Sequence, residues 1–241
     1  MNKPDQTTVD AKEAEKFNRH AEQWWDPAGP MWPLHQLNAL RTPFVIRQVL
    51  AHTKQTTLDG LRILDIGCGA GLLSEQMAKY GACVTGVDIA EKNINIARQH
   101  ALSEGLEIDY LHGSIEDLDT NQDFDVVLNM EVVEHVANLP LFMRQACALT
   151  RNGGLMFVAT INRTWYSWLT TILGAEYLLR WLPRGTHIWQ RYVTPEETTE
   201  SLERGGLDVR SKTGVGMNPL RRYLYTTDNM RANYMMVAEK R

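Results

Sequence analysis

Cysteine is scarce: the 241-residue chain has three, Cys68, Cys83 and Cys147. Their number is odd, none forms a C-x-x-C pair, and each lies in apolar or glycine-containing surroundings. A disulfide framework and a zinc knuckle are therefore not expected, and a reducing cytoplasm is. Excess positive charge is also missing. With 25 Lys and Arg against 29 Asp and Glu, the formal net charge of -4 argues against general nucleic-acid binding. Nowhere do about 18 apolar residues run consecutively, so no transmembrane span is expected. Residues 1–10 lack the basic start and apolar stretch of a signal peptide. Internal repeats and low-complexity tracts are absent too. The remaining composition, 44% hydrophobic and 22% charged, is that of a soluble globular protein with one α/β domain or at most two small ones.

The most informative stretch is Leu64-Asp65-Ile66-Gly67-Cys68-Gly69-Ala70-Gly71. An apolar run enters three alternate glycines, and Leu72, Leu73 and Met77 continue at helical spacing. This is strand, tight turn, helix. Glycine admits positive φ and close approach of a ligand to the main chain, and a new helix presents unpaired N–H groups. A cofactor seat follows, although the spacing is not the G-x-G-x-x-G of dinucleotide-binding folds. Asp88 closes the second strand, roughly twenty residues past the first glycine, where a carboxylate can accept both hydroxyls of a ribose or cap the next helix. Beyond a third strand, Ile108 to His112, lies the polar loop Gly113 to Leu118, either solvated surface or an adenine contact with Ile115 as its apolar wall. After a fourth strand, ending at Met130, comes Glu131-Val132-Val133-Glu134-His135-Val136. If helical, Glu131, Glu134 and His135 share a face. They then ligate a divalent cation or hold His135 as a general base, or the acids suit a helix start and His135 packs.

Strand and helix alternate about five times up to Thr160, which calls for a parallel sheet with helices on both faces. Before it stand an amphipathic helix from Ala11 to Trp25 and a second helix bearing Arg41, forming either a clasp on the sheet or a lid, with Arg41 reaching an anionic group. Between Asn162 and Tyr192 the rhythm breaks. Trp165, Tyr166, Trp168, Trp181 and Trp189, bordered by Arg163, Arg180, Arg184 and Arg191, make a core helix hairpin or an interfacial segment. Thr194-Pro195-Glu196-Glu197 is a capped helix start. Residues 214–231 are irregular by pattern, and Asn233 to Ala238 is a last strand.

Taken together, these motifs resemble the class I S-adenosylmethionine-dependent methyltransferases. Trp24-Trp25-Asp26, Pro33-Leu34-His35 with Asn38 and Arg41, the glycine loop, Glu131 to Val136, Gly174 to Tyr177, Pro183 to His187, Asn218-Pro219 and Asn233-Tyr234 resemble, more closely, the ubiquinone-biosynthesis O-methyltransferase family. The likeness spans nearly all the chain from about Ala14 onward. It implies a single Rossmann-like α/β domain with a mostly parallel seven-stranded sheet: a disordered tail (1–10), an N-terminal helical cap (11–58), a core binding S-adenosylmethionine (59–160), an apolar insertion (161–192) and the C-terminal part of the sheet (193–241).

The resemblance also implies methyl transfer to hydroxyls of a polyprenylated catechol and of 3-demethylubiquinol. Arg41, Gly67, Asp88 and Met130 match the cofactor-binding residues of the family, and Glu131, Glu134 and His135 match positions regarded as metal ligands in related members. A phenol has pKa about 10. Either a metal such as Mg2+ lowers it, or His135, with Glu134 beside it, removes the proton. Further expectations are contact of residues 162–192 with an anionic membrane at the inner face of the cytoplasmic membrane, other ubiquinone-biosynthesis enzymes as partners, and no nucleic acid. Two alternatives stay open: a C- or N-methyltransferase acting on another quinone-like molecule, and an inactive cofactor-binding interaction subunit.

Overall fold

The computed structural model describes residues 7–19, 21–29, 31–119, 123–168, 189–218 and 223–241. Two helices come first, α1 (Ala11–Arg19) and α2 (Trp32–Thr53). The alternating part follows: β1 (Arg62–Ile66), α3 (Leu72–Lys79), β2 (Cys83–Asp88), α4 (Glu91–Ser103), β3 (Ile108–His112), β4 (Phe124–Met130), α5 (Leu139–Leu149) and β5 (Thr150–Ile161). The remainder is α6 (Trp165–Ser167), α7 (Pro195–Arg204), β6 (Leu207–Asn218), β7 (Tyr223–Thr227) and β8 (Asn233–Lys240).

All eight strands form one sheet in the order β3-β2-β1-β4-β5-β8-β6-β7. The first five are mutually parallel, and β8 enters antiparallel to both β5 and β6. Side chains alternate between faces, so successive apolar residues of the central strands feed two cores. Ile63, Leu128, Phe157 and Val237 meet α2 and α3 on one face, while Leu64, Val127, Met156 and Val158 meet α5 and α7 on the other. Helix starts obey local chemistry. Thr194 and Glu197 close the expected capping box at α7, and Asn138 accepts from Leu141 N–H at 3.0 Å to cap α5.

The sheet differs from expectation by one strand. Instead of irregular chain over 214–231, β6 runs on to Asn218 and returns as β7, in register from Gly214↔Thr227 to Asn218↔Tyr223. The glycines that hide this strand are ones the pairing needs. A Cβ at Gly214 would stand 2.1 Å from the Asn229 carbonyl oxygen, and one at Gly216 would stand 2.6 Å from the Tyr225 ring.

Strand order reverses between β1 and β4, so the turns leaving those strands open a crevice at the carboxyl edge of the sheet, where open α/β sheets bind ligands. Residues 7–19 and 21–25 lie across this edge as a strap. Residues 7–10, assigned to a tail by sequence, carry hydrogen bonds: Ala137 N–H donates to the Thr8 carbonyl at 2.9 Å, Thr7 Oγ1 donates to Glu116 at 3.1 Å, and Asp10 pairs with Arg191 at 2.8 Å. From α1, Glu13 meets His135 at 3.1 Å and Asn18 accepts from Lys92 N–H at 3.0 Å.

The Glu13 pairing gives strap docking an acid limit. Burial alone would raise this carboxyl, but the hydrogen bond and charge of His135, with help from Lys16, hold it at about 2, below its ordinary 4.5. A depressed folded value means that the stabilisation is present above pH 4.5 and is lost as pH falls from there through about 2. Hydrogen exchange of the α1 amides is expected to accelerate in that window for the native protein and to lose this pH dependence in Glu13→Gln. Identical profiles would remove the pairing as the docking contact.

Candidate functional site

The crevice is built from four turns. At the first, Gly67, Gly69 and Gly71 all take positive φ, at 66°, 56° and 87°. Conformation and space both demand glycine at the first two. A Cβ on Gly67 would come within 2.6 Å of Val132, and one on Gly69 within 2.3 Å of the Trp24 ring. The turn is tied to β2, since Gly67 N–H and Cys68 N–H both donate to the Val87 carbonyl, at 2.8 and 3.1 Å.

Asp88 ends β2 at the second turn. Its Oδ2 accepts from Gly69 N–H at 2.9 Å and its Oδ1 from Ala90 N–H at 2.8 Å. Burial raises its carboxyl, and these backbone bonds work against that rise. Asp88 thus stitches the glycine turn to the start of α4. A carboxylate oxygen has two acceptor sites, so this work leaves acceptor capacity for a ligand. At the third turn, Gly113 N–H donates to the Asp88 carbonyl at 3.0 Å, and Ile115, buried, packs in the same cluster as Val87 and Val133. Ser114 and Asp117 cap this short 3-10 turn reciprocally.

Arg41 projects from α2 and is buried. Its Nε donates to Asn38 Oδ1 at 2.5 Å, while its Nη1 has no hydrogen-bond partner among the described residues. Burial lowers the guanidinium, and the neighbouring Glu131, Asp65 and Glu134 oppose that shift. Asp65, in β1, accepts from Ser74 Oγ at 2.6 Å and is pushed by burial up to about 6, against the Ser74 bond and the Arg41 charge. A cationic nitrogen without a partner in a buried acidic setting is suited to take an anionic ligand group.

The fourth turn corrects the sequence expectation. Residues 131–136 are not helical, because Glu131 leaves β4 with φ at 61° while its N–H still extends the ladder to the Ala159 carbonyl at 2.8 Å. The shared face of Glu131, Glu134 and His135 therefore does not form. Glu134 is buried and accepts from Thr160 Oγ1 at 2.8 Å; burial, then the Glu131 charge, raises its carboxyl well above the ordinary range. His135 turns instead toward α1, with Nδ1 at Glu13 and its ring edge-on to Phe17 at 5.2 Å. Among the described residues no group of three or more His, Cys, Asp or Glu is arranged to hold a metal ion. As placed, the expected metal set does not fit.

Met130, the last residue of β4, is buried beside this turn. Next to it, Asn129 Oδ1 is buried without a hydrogen-bond partner among the described residues. Most of the apolar insertion, residues 169–188, lies outside the described residues. Its flanks expose Trp165, Tyr166, Trp168 and Trp189, Trp165 at 73%. Two of the arginines expected to border a membrane are engaged, Arg163 with Glu197 and Arg191 with Asp10. No described helix is long and apolar enough to cross a membrane. Sequence reasoning missed Glu13, which stands 122 residues from its partner. The only available signal was its place on an amphipathic helix.

Comparison with known proteins matches this architecture. The model of a methyltransferase domain family matches residues 35–212. A ubiquinone biosynthesis O-methyltransferase of Chelativorans sp. (strain BNC1) is 48% identical over 240 residues, covering 97% of this chain and 95% of that protein. One from Sinorhizobium medicae (strain WSM419) is 46% identical, covering 100% and 99%. Among solved structures, magnesium protoporphyrin IX methyltransferase (ChlM) from Synechocystis PCC 6803 with bound SAH superposes with a TM-score of 0.68 at 19% identity, covering 94% of this chain and 95% of that one. At that identity the likeness shows the fold. With close relatives matching from end to end and the family model spanning most of the sheet, the chain belongs to the ubiquinone biosynthesis O-methyltransferase family.

Proposed function

We propose that the protein transfers the methyl group of S-adenosylmethionine to a phenolic hydroxyl of a polyprenylated catechol and of 3-demethylubiquinol. The observation that carries this reading is the glycine turn stitched to Asp88, together with the Nη1 of buried Arg41, which has no hydrogen-bond partner among the described residues. Bound there, S-adenosylmethionine supplies an electrophilic methyl on a sulfonium. The residues hold it: Arg41 takes the carboxylate of the methionine part, Gly67 lets that part lie on the backbone, Asp88 accepts the ribose hydroxyls, and Ile115 and Met130 flank the adenosine. A nucleophilic oxygen held in line with the methyl gains much of its rate from proximity.

The phenolic proton goes to His135. With Nδ1 directed at Glu13, Nε2 is the nitrogen that accepts it. Burial, and then the neighbouring Glu131 charge, raises the Glu134 carboxyl, and Thr160 Oγ1 donates to it. No step is routed through a metal: Glu134 turns to Thr160 and His135 to Glu13, so that with Glu131 they do not share a face. For the lipid-tailed substrate, exposed Trp165, Tyr166, Trp168 and Trp189 support peripheral contact with a membrane. The aromatic rings carry this contact more than the paired Arg163 and Arg191 do.

Four outcomes test these assignments. Purified protein with labelled S-adenosylmethionine and a short-chain 3-demethylubiquinol is expected to label the oxygen under reducing conditions, with and without a chelator. No transfer would remove the activity, and loss with chelator alone would return the proton step to a metal. His135→Ala should lower kcat by about a hundredfold or more, and an unchanged kcat would take away its role as base. Asp88→Ala is expected to weaken binding of S-adenosylmethionine by at least about tenfold, measured by calorimetry, whereas an equal dissociation constant would limit Asp88 to bracing the turn. For the membrane contact, Trp165→Ser with Trp168→Ser should reduce co-sedimentation with anionic vesicles; equal sedimentation would reassign those rings.

A further inference from the structure

Two tryptophans at the end of the strap have no part in the scheme above. The ring of Trp24 lies on the glycine turn, where a Cβ built at Gly69 would stand 2.3 Å from it. Its Nε1 is buried and has no hydrogen-bond partner among the described residues. Its carbonyl is engaged by His35 Nε2 at 2.8 Å, which fixes the backbone that carries the ring. Trp25 is fixed on two sides. Its Nε1 donates to the Ala70 carbonyl at 3.1 Å, and its ring stacks on the imidazole of His100, with centroids 3.4 Å apart and planes 4° from parallel. His100, on α4, directs Nδ1 at Glu75 Oε1, 2.7 Å away, and Glu75 is completely buried on α3.

A buried carboxylate and a buried indole N–H without a partner both cost stability, and neither enlarges the core. Each is explained by what it positions. Glu75 fixes the tilt of His100, His100 gives Trp25 a platform, and Trp25 anchors the strap to the loop at Ala70. Trp24, its neighbour, is thereby set against Gly69. The N–H, which has no partner among the described residues, then finds its acceptor in whatever occupies the turn.

We propose that Trp24 is a wall of the methyl-donor site, its Nε1–H donating a hydrogen bond to bound S-adenosylmethionine, and that Trp25, His100 and Glu75 form the latch holding it there. This rests on the assignment of the glycine turn to the methyl donor. The strap is consequently part of the binding site: the donor is enclosed between it and the turn, and exchange of S-adenosylhomocysteine for fresh donor requires the latch to release.

Calorimetry on the full chain, with S-adenosylmethionine and S-adenosylhomocysteine as ligands, separates the parts. Trp24→Phe keeps an aromatic ring and removes the N–H, and is expected to weaken binding about tenfold. Trp24→Ala should weaken it about a hundredfold, and His100→Ala should raise the dissociation rate of S-adenosylhomocysteine about tenfold in stopped flow. Thermal melts confirm folding, and if Trp24→Ala does not fold, Trp24→Phe decides. Native-like affinity in Trp24→Phe overturns the hydrogen bond. Equal or tighter binding in Trp24→Ala overturns the wall, since the ring would then occupy space the ligand needs. An unchanged dissociation rate in His100→Ala overturns the latch. If the native protein binds neither ligand, the methyl-donor assignment falls and this proposal with it; if it binds both and the variants match it, Trp24 alone loses its role.

Discussion

The bond from Gly69 N–H to the Asp88 carboxylate joins the two parts of the chain on which the crevice depends. It draws the glycine turn after β1 onto the end of β2, and Asp88 in the same position receives Ala90 N–H and so sets the start of α4. From α4 comes His100, and from the next strand comes the loop with Ile115, tied back to the Asp88 carbonyl. A charged acceptor serving two backbone donors is stronger than a neutral one, which suits a carboxylate placed where burial would otherwise disfavour it. The parallel sheet supplies the frame, but this carboxylate joins the first two turns, and the backbone carbonyl of the same residue ties in the third.

Around that frame the buried charges are unevenly balanced. Arg41 stands near Asp65, Glu131 and Glu134, and burial raises both Asp65 and Glu134 toward their protonated forms. Among the described residues one guanidinium nitrogen stays without a partner. The amino-acid end of S-adenosylmethionine carries one charge of each sign and suits such a setting. Strain accompanies it: Glu131, a non-glycine residue, takes left-handed φ at the crevice, as residues at functional sites often do.

What the sequence made legible was local. The glycine turn, the acid closing β2, the capping box at Thr194 and the alternation through β5 each depend on residues within a few positions of one another, and the structure contains all four. Three features escaped. Glu131 to His135 have helical spacing, yet one left-handed residue redirects them, and glutamate carries no signal for that conformation. The extension of β6 that pairs with β7 was hidden by glycines that make room for the Asn229 carbonyl and the Tyr225 ring. Glu13 and Trp24 act across the fold, on partners whose positions only the closed sheet determines.

The strap also ties the first part of the chain to nearly the last. Asp10 and Arg191 are 181 residues apart, and Glu13 waits 122 residues for His135. The strap precedes in sequence the turns on which it docks, so its charged contacts form only once the chain has folded back over them. Of its aromatic residues, Trp25 finds nearer partners, at Ala70 and His100, and Phe17 meets His135. The strap is therefore held by contacts of two kinds, aromatic ones with nearer residues at its end and charged ones with distant residues at its start.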